Sequence, residues 1–267
     1  MLRWVVRRNE ITSAAVAFPL KGPEDVEHFL AIPYSAPESN AAPFHALKAR
    51  VGEEGLVTVG IEAGVCLPAS WFSPEGFCRA WADAPDLVAE LTWVGAQRIL
   101  GYVEQLCLAG VDAFRIGGVD YASVQLGPTG FDALVMAFDP ELVALAHQHG
   151  VIAYYHNHGP VTRFLDRFAE LGIDALEPLE ARPSGNCDLG ESKRRIGDRV
   201  CLVGNLDDME VVETRSREEV CRLGRQCLEQ AGPEGFILDG TASGTYTEQG
   251  ARNFMALLEV AREYGTG

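Results

Sequence analysis

An α/β fold, with βα units repeating around a parallel sheet, is predicted by three observations. From residue 51 onward, short β-rich runs alternate with longer segments of helical period. Several of those runs begin just after a glycine placed to end a helix, as in Ala109-Gly110-Val111-Asp112 and Leu171-Gly172-Ile173-Asp174. The length of 267 residues admits one or two domains, and a single α/β barrel of about 250 residues fits it.

Taken in order, residues 1–50 read as two short β-like runs, Leu2 to Arg7 and Thr12 to Phe18, making a hairpin around Arg8-Asn9-Glu10. Pro23 with Glu24 and Asp25 opens a short helix, and a Pro- and Ser-rich linker covers Pro33 to Pro43. The strands that follow are Val57 to Glu62, Asp112 to Gly117, Val151 to His156, Asp174 to Pro178, Val200 to Asn205 and Gly235 to Asp239. Helices are expected over Glu75 to Ala82, Asp86 to Ala109, Pro140 to His149, Val161 to Leu171, Leu189 to Ile196, Arg217 to Gln230 and Glu248 to Tyr264. Ser216 with Glu219 forms a capping box, and Gly150, Gly172 and Gly232 stand where helices stop. Six such strands and a hairpin fall short of eight, so either two barrel positions are filled unconventionally or the barrel is shortened at its N-terminus.

Composition removes whole classes of function. With 38 acidic against 22 basic side chains the formal charge is −16, which repels phosphate backbones and anionic lipid. No apolar stretch approaches the roughly 18 residues of a membrane span, and the N-terminus lacks the h-region of a signal peptide, so a cytoplasmic protein is expected. The seven cysteines are odd in number and contain no C-x-x-C pair. Six lie in or beside apolar stretches and read as buried free thiols, whereas Cys187 sits in the polar run Ser184-Gly185-Asn186-Cys187-Asp188.

In parallel α/β architectures, sites gather at the C-terminal ends of strands. There the sequence places Glu62, then Arg115 and Asp120, then His156, Asn157 and His158, then Glu177 and Glu180, then Asn205, Asp207 and Asp208, and finally Asp239. The sharpest feature is Tyr155-His156-Asn157-His158-Gly159-Pro160. Histidines at i and i+2 on an ending strand project to one side, and Gly159 lets the backbone turn away. Such a pair either hydrogen-bonds within the protein or, joined by Glu177 or Glu180, holds a divalent metal with one position open. His147 and His149 share the spacing, but on a helix it points them apart.

His156-Asn157-His158-Gly159, followed by Asp174-Ala175-Leu176-Glu177-Pro178-Leu179-Glu180, Asp188-Leu189, Lys193, Gly197, Val203-Gly204-Asn205-Leu206-Asp207 and Gly235-Phe236-Ile237-Leu238-Asp239, resembles the uroporphyrinogen decarboxylase superfamily. That superfamily includes corrinoid-dependent methyltransferases. The resemblance continues to Asn253 and Arg262-Glu263-Tyr264-Gly265, and upstream through Leu20 to Ala31 and Gly76 to Asp112. It implies a TIM (β/α)8-type barrel, one domain over 1–267, with its cleft at the strand C-termini and a homodimer as a frequent assembly.

In the methyltransferase branch an H-x-C pair, a late cysteine and in some relatives a carboxylate bind zinc. His156 matches the first ligand, His158 stands at the cysteine, and Glu180, 24 residues after His156, matches the carboxylate better than Glu177. The late cysteine has no counterpart in Gly240-Thr241-Ala242-Ser243, where Asp239 is the nearest replacement. The resemblance therefore implies zinc or another divalent metal on His156, His158 and Glu180, a corrinoid carried by a partner protein, and a small-molecule substrate oriented by Asn205 and Asp239 and contacted by Tyr102 and Arg115. Of the decarboxylase cleft Tyr102 matches, while the Arg-rich N-terminal motif and the late histidine, where Ala242 falls, do not. The expected activity is metal-dependent methyl transfer. Decarboxylation of a tetrapyrrole and a non-catalytic barrel that binds a corrinoid protein or tetrapyrrole are the alternatives.

Overall fold

The computed structural model describes residues 3–6, 13–241 and 246–265. They form two compact units, 1–153 and 154–267. In the first, β1 (Arg3–Val6) and β2 (Ser13–Ala17) pair antiparallel, as the hairpin reading expects; its turn lies outside the described residues. β3 (Val59–Glu62) and β4 (Ala113–Gly117) then pair in parallel, with Ile61 opposite Ile116. Between them run helices Cys66–Trp71, Pro74–Asp83 and the 24-residue Pro85–Leu108. Val88, Leu91, Val103 and Leu106 form the buried face of that last helix, and Phe114 and Ile116 bury the strand.

The second unit carries six of the expected site residues. β5 (Ile152–His156) begins at the unit boundary, and β6 (Ala175–Glu180), β7 (Cys201–Asn205) and β8 (Phe236–Asp239) follow, each parallel to its predecessor. Helices Leu165–Glu170, Leu189–Ile196 and Arg217–Ala231 make the crossovers, and Glu248–Gly265 follows β8. Caps fix where they start: Asp188 accepts from the Glu191 N–H and Ser216 from the Glu219 N–H. Six consecutive residues of β6 are buried, as in a strand covered on both faces. β8 differs, because the side chain of Ile237 is 47% exposed and, among the described residues, no strand follows β8 in the sheet. At the opposite end of the strands, the Lys193 ammonium donates to the carbonyls of Gly197, Glu234 and Gly235.

Every expected strand is present, trimmed at its start by one or two residues, and β6 reaches two residues further, to Glu180. Helices Ala42–Val51 and Cys66–Trp71, and the run of π- and α-helical turns over 121–136, were not expected. Helix 42–51 presents no clean apolar stripe, since it buries Phe44 alone, so periodicity could not reveal it.

Candidate functional site

β6 brings two carboxylates to one side. In a regular strand Glu177 and Glu180, three residues apart, face opposite ways. Here the register with β7 slips between Leu176, opposite Leu202, and Leu179, opposite Gly204, so β6 carries one extra residue. That bulge turns both carboxylates toward the end of β5. His156, opposite Glu177 in the ladder, has its Nδ1 3.5 Å from Glu177 Oε1. His158 Nδ1 lies 3.0 Å from Glu180 Oε1, and Glu180 Oε2 accepts the Gly159 N–H. Gly159 sits at φ 88°, a left-handed conformation that suits glycine and turns the chain off the strand. The imidazoles meet edge to face, their centroids 4.5 Å apart and their planes at 88°.

Both carboxylates are 4% exposed. An ionised carboxylate accepts and does not donate, so it favours an imidazole partner with its proton on Nδ1. Between the histidines, Asn157 is fully buried, donating its amide to the His158 carbonyl, while its N–H bonds the Glu177 carbonyl.

The row Glu180, Asn205, Asp239 runs straight across three strands. Asn205 donates its side-chain amide to the Leu179 carbonyl, and Asp239 accepts the Gly240 N–H at 2.8 Å. Burial first, then the charges of Glu177 and Asp208, push the Asp239 carboxyl above the ordinary aspartate range, the Gly240 N–H opposing them in part. Asp208, with no exposure, is clasped by the Thr241 N–H at 2.6 Å and the Tyr246 hydroxyl at 2.7 Å. Burial and this carboxylate hold the Tyr246 phenol well above its usual value. Asp207 caps the turn over 208–212 and accepts from Ser184 at 2.7 Å.

Six expected site residues thus lie together in the second unit: His156, His158, Glu177, Glu180, Asn205 and Asp239. Tyr102, half-buried on helix Pro85–Leu108, and Arg115, on β4 opposite Gly60, belong to the first unit. His147 and His149 are exposed around the end of helix Asp139–Gln148. Cys187, expected in a polar loop, is 5% exposed, and burial raises its thiol; Cys78, Cys201 and Cys221 are only half-buried. The polar sequence around Cys187 misled because the loop folds back onto β6, the Cys187 N–H bonding the Glu180 carbonyl. Thr241 and Tyr246 had no local signal, being joined to Asp208 across more than 30 residues.

As a metal centre the donor set fits incompletely. Glu180 engages one oxygen with His158 and the other with Gly159, which is how a carboxylate orients an imidazole from behind. Two imidazoles alone fall short of the three protein ligands usual for catalytic zinc. Among the described residues no three His, Cys, Asp or Glu side chains come together as a metal-holding group.

A family model described as uroporphyrinogen decarboxylase (URO-D) matches residues 14–264. Uroporphyrinogen decarboxylase of Thioalkalivibrio sulfidiphilus (strain HL-EbGR7) is 31% identical over 191 residues, 68% of this chain and 50% of that protein. The enzyme of the same name from Pseudomonas putida (strain GB-1) is 30% identical over 136 residues, 48% of this chain and 36% of that one. Methylcobamide:CoM methyltransferase MtaA of Methanosarcina barkeri is 23% identical over 160 residues, 60% of this chain and 45% of that one. The chain spans about half the length, or less, of these curated relatives. Among solved structures, a methyltransferase from Methanosarcina mazei superposes with TM-score 0.78 at 17% identity, over 98% of this chain and 75% of that one. This likeness shows the fold, an α/β barrel of the TIM type.

Proposed function

Because the chain belongs to the uroporphyrinogen decarboxylase (URO-D) family, we propose that it is a methyltransferase-type enzyme acting on a small methyl donor or a methylated corrinoid carried by a partner protein. The observation that carries this reading is the pair of imidazoles, each tied through Nδ1 to its own buried carboxylate. Methyl transfer from a donor CH3–X–R to a thiol breaks the C–X bond, forms an S–C bond and moves one proton from sulfur to X; from a methylated corrinoid the C–Co bond breaks instead, cob(I)alamin leaves with the electron pair, and the thiol proton stays on the base. His158 Nε2, with Glu180 behind it, accepts the thiol proton and returns it to X where X is nitrogen or oxygen. Asn205 and Asp239, one row across the strands, orient the substrate.

Zinc, the cofactor implied for this branch, would lower the pKa of the accepting thiol when bound. A metal on His156, His158 and Glu180 requires Glu180 to release His158 and Gly159, and no step here is derived through it. No described helix is long and apolar enough to cross a membrane. A cytoplasmic homodimer, organised as one barrel domain over 1–267, completes the reading.

Decarboxylation of a tetrapyrrole is favoured by the names of the curated relatives. The acidity of the second unit opposes it: Asp239 already lies in the fields of Glu177 and Asp208, and a polycarboxylate adds like charge. The deciding experiment incubates the protein anaerobically with methylcobalamin and a thiol, and separately with uroporphyrinogen. Demethylation of the cobalamin that falls at least about a hundredfold in His158→Ala is expected. Equal rates in the variant sink the reading, carbon dioxide from uroporphyrinogen establishes the decarboxylase, and no turnover with either leaves a binding barrel.

A further inference from the structure

The loop after β6 returns to the residue it left. The Gly185 N–H donates to the Ala181 carbonyl and the Cys187 N–H to the Glu180 carbonyl, both at 2.9 Å. Gly185 lies so close that a Cβ there would stand 2.2 Å from the Glu180 carbonyl oxygen and 2.5 Å from Glu180 Cβ. On its other side the loop grips the chain beyond His158. Asn186 Oδ1 accepts the Thr162 N–H at 3.2 Å and the Thr162 hydroxyl at 2.8 Å, and that hydroxyl is also 3.0 Å from the Asn186 carbonyl. Thr162 lies three residues after Gly159, whose N–H holds Glu180 Oε2. Ser184 fastens the loop to Asp207 beyond β7.

These bonds close a ring: Glu180 carboxylate, Gly159, Thr162, Asn186, Cys187 and Glu180 backbone. We infer that Asn186 is a positioning residue which, by clamping the ends of β5 and β6 together, fixes the Glu180 carboxylate on His158 Nδ1 and thereby sets the imidazole tautomer. A carboxylate displaced by even an ångström no longer selects Nδ1 as the proton carrier, and the lone pair is then shared between the two nitrogens. Asn186 is exposed, so a stability role alone would call for no such acceptor at this position. The inference rests on the proposed role of His158 only where it concerns rate.

The test compares wild type, Asn186→Ala, Asn186→Asp and Gly185→Ala by 15N NMR of the imidazoles, about two pH units above the ordinary histidine pKa so that the rings are neutral. The His158 signals are identified by their loss in His158→Gln. Wild type is expected to hold the Nδ1–H tautomer almost exclusively. Asn186→Ala shifts at least about a third of the population to Nε2–H, and Asn186→Asp, which keeps the Oδ1 acceptor, restores the wild-type state. In the methyl-transfer assay Asn186→Ala lowers kcat roughly tenfold with KM unchanged. An unaltered tautomer in a folded Asn186→Ala protein overturns the inference, as does failure of Asn186→Asp to rescue. A shifted tautomer in a protein with no methyl-transfer activity upholds the positioning role and removes the functional reading instead. Gly185→Ala is expected to give the same shift from the opposite side of the ring; if it unfolds, the two Asn186 variants decide alone.

Discussion

His156 and His158 stand edge to face, centroids 4.5 Å apart, and each directs Nδ1 to a different glutamate of the neighbouring strand. The two rings are therefore oriented by the protein before any ligand arrives. Preorganisation of this kind serves proton transfer and ligand binding alike, because the ordering is complete in the free protein.

Metal content separates those uses. With Glu180 held by His158 and Gly159, the protein purified without a histidine tag is expected to retain well below one equivalent of zinc after dialysis against a chelator. Mass spectrometry showing one tightly held equivalent, absent from the His156→Ala, His158→Ala double variant, would restore the three-residue metal set.

Glu180→Gln removes an acceptor that two donors need. The neutral amide keeps its oxygen on the Gly159 N–H and presents its NH2 to His158 Nδ1, which accepts only as the Nε2–H tautomer, so two charge-assisted bonds become neutral ones and the tautomer reverses. A loss of about 1–2 kcal/mol in urea unfolding is expected. A loss under about 0.5 kcal/mol would mean that the pair contributes little to the fold.

Asp239 gives a pH signature. Its folded-state pKa is raised, so its contribution to stability is present below the ordinary aspartate range and is lost as pH rises through the folded value. Asp239→Asn removes that dependence: relative to wild type, the variant gains thermal stability at pH 7 and gains less at pH 3.5. Parallel melting curves for the two proteins across that window would contradict the shift.

The Asp208 clasp is expected to be cooperative. Tyr246→Phe leaves Asp208 Oδ2 without its hydroxyl donor and lowers stability by about 1–2 kcal/mol. After Asp208→Asn the same change costs less, and a double-mutant cycle measures the difference as a coupling energy. Additive losses would show that the two residues act separately.

What the sequence made legible was local. Strands followed from apolar runs between helix-ending glycines, and Arg217–Ala231 from its Ser216 cap. His156 and His158 were recognisable because strand geometry puts i and i+2 on one side. The bulge in β6 was marked only by Pro178, which cannot donate to the ladder, and its size stayed hidden because register is a relation between strands. So Glu177 and Glu180, which seemed rivals for one role, turn out to be partners of different histidines. The ring through Thr162 and Asn186 was hidden for the same reason, its bonds joining residues 24 apart in the chain.

Ile237 bears on how the protein behaves in bulk. A half-exposed apolar side chain on β8 offers an adhesive spot on which other molecules can settle. What keeps copies apart is the charge of −16, acting before they touch. That shield thins from about 10 Å at 0.1 M salt to about 3 Å at 1 M. Light scattering is accordingly expected to rise with added sodium chloride and to stay flat in Ile237→Lys, making ionic strength the first variable to control when the protein is concentrated.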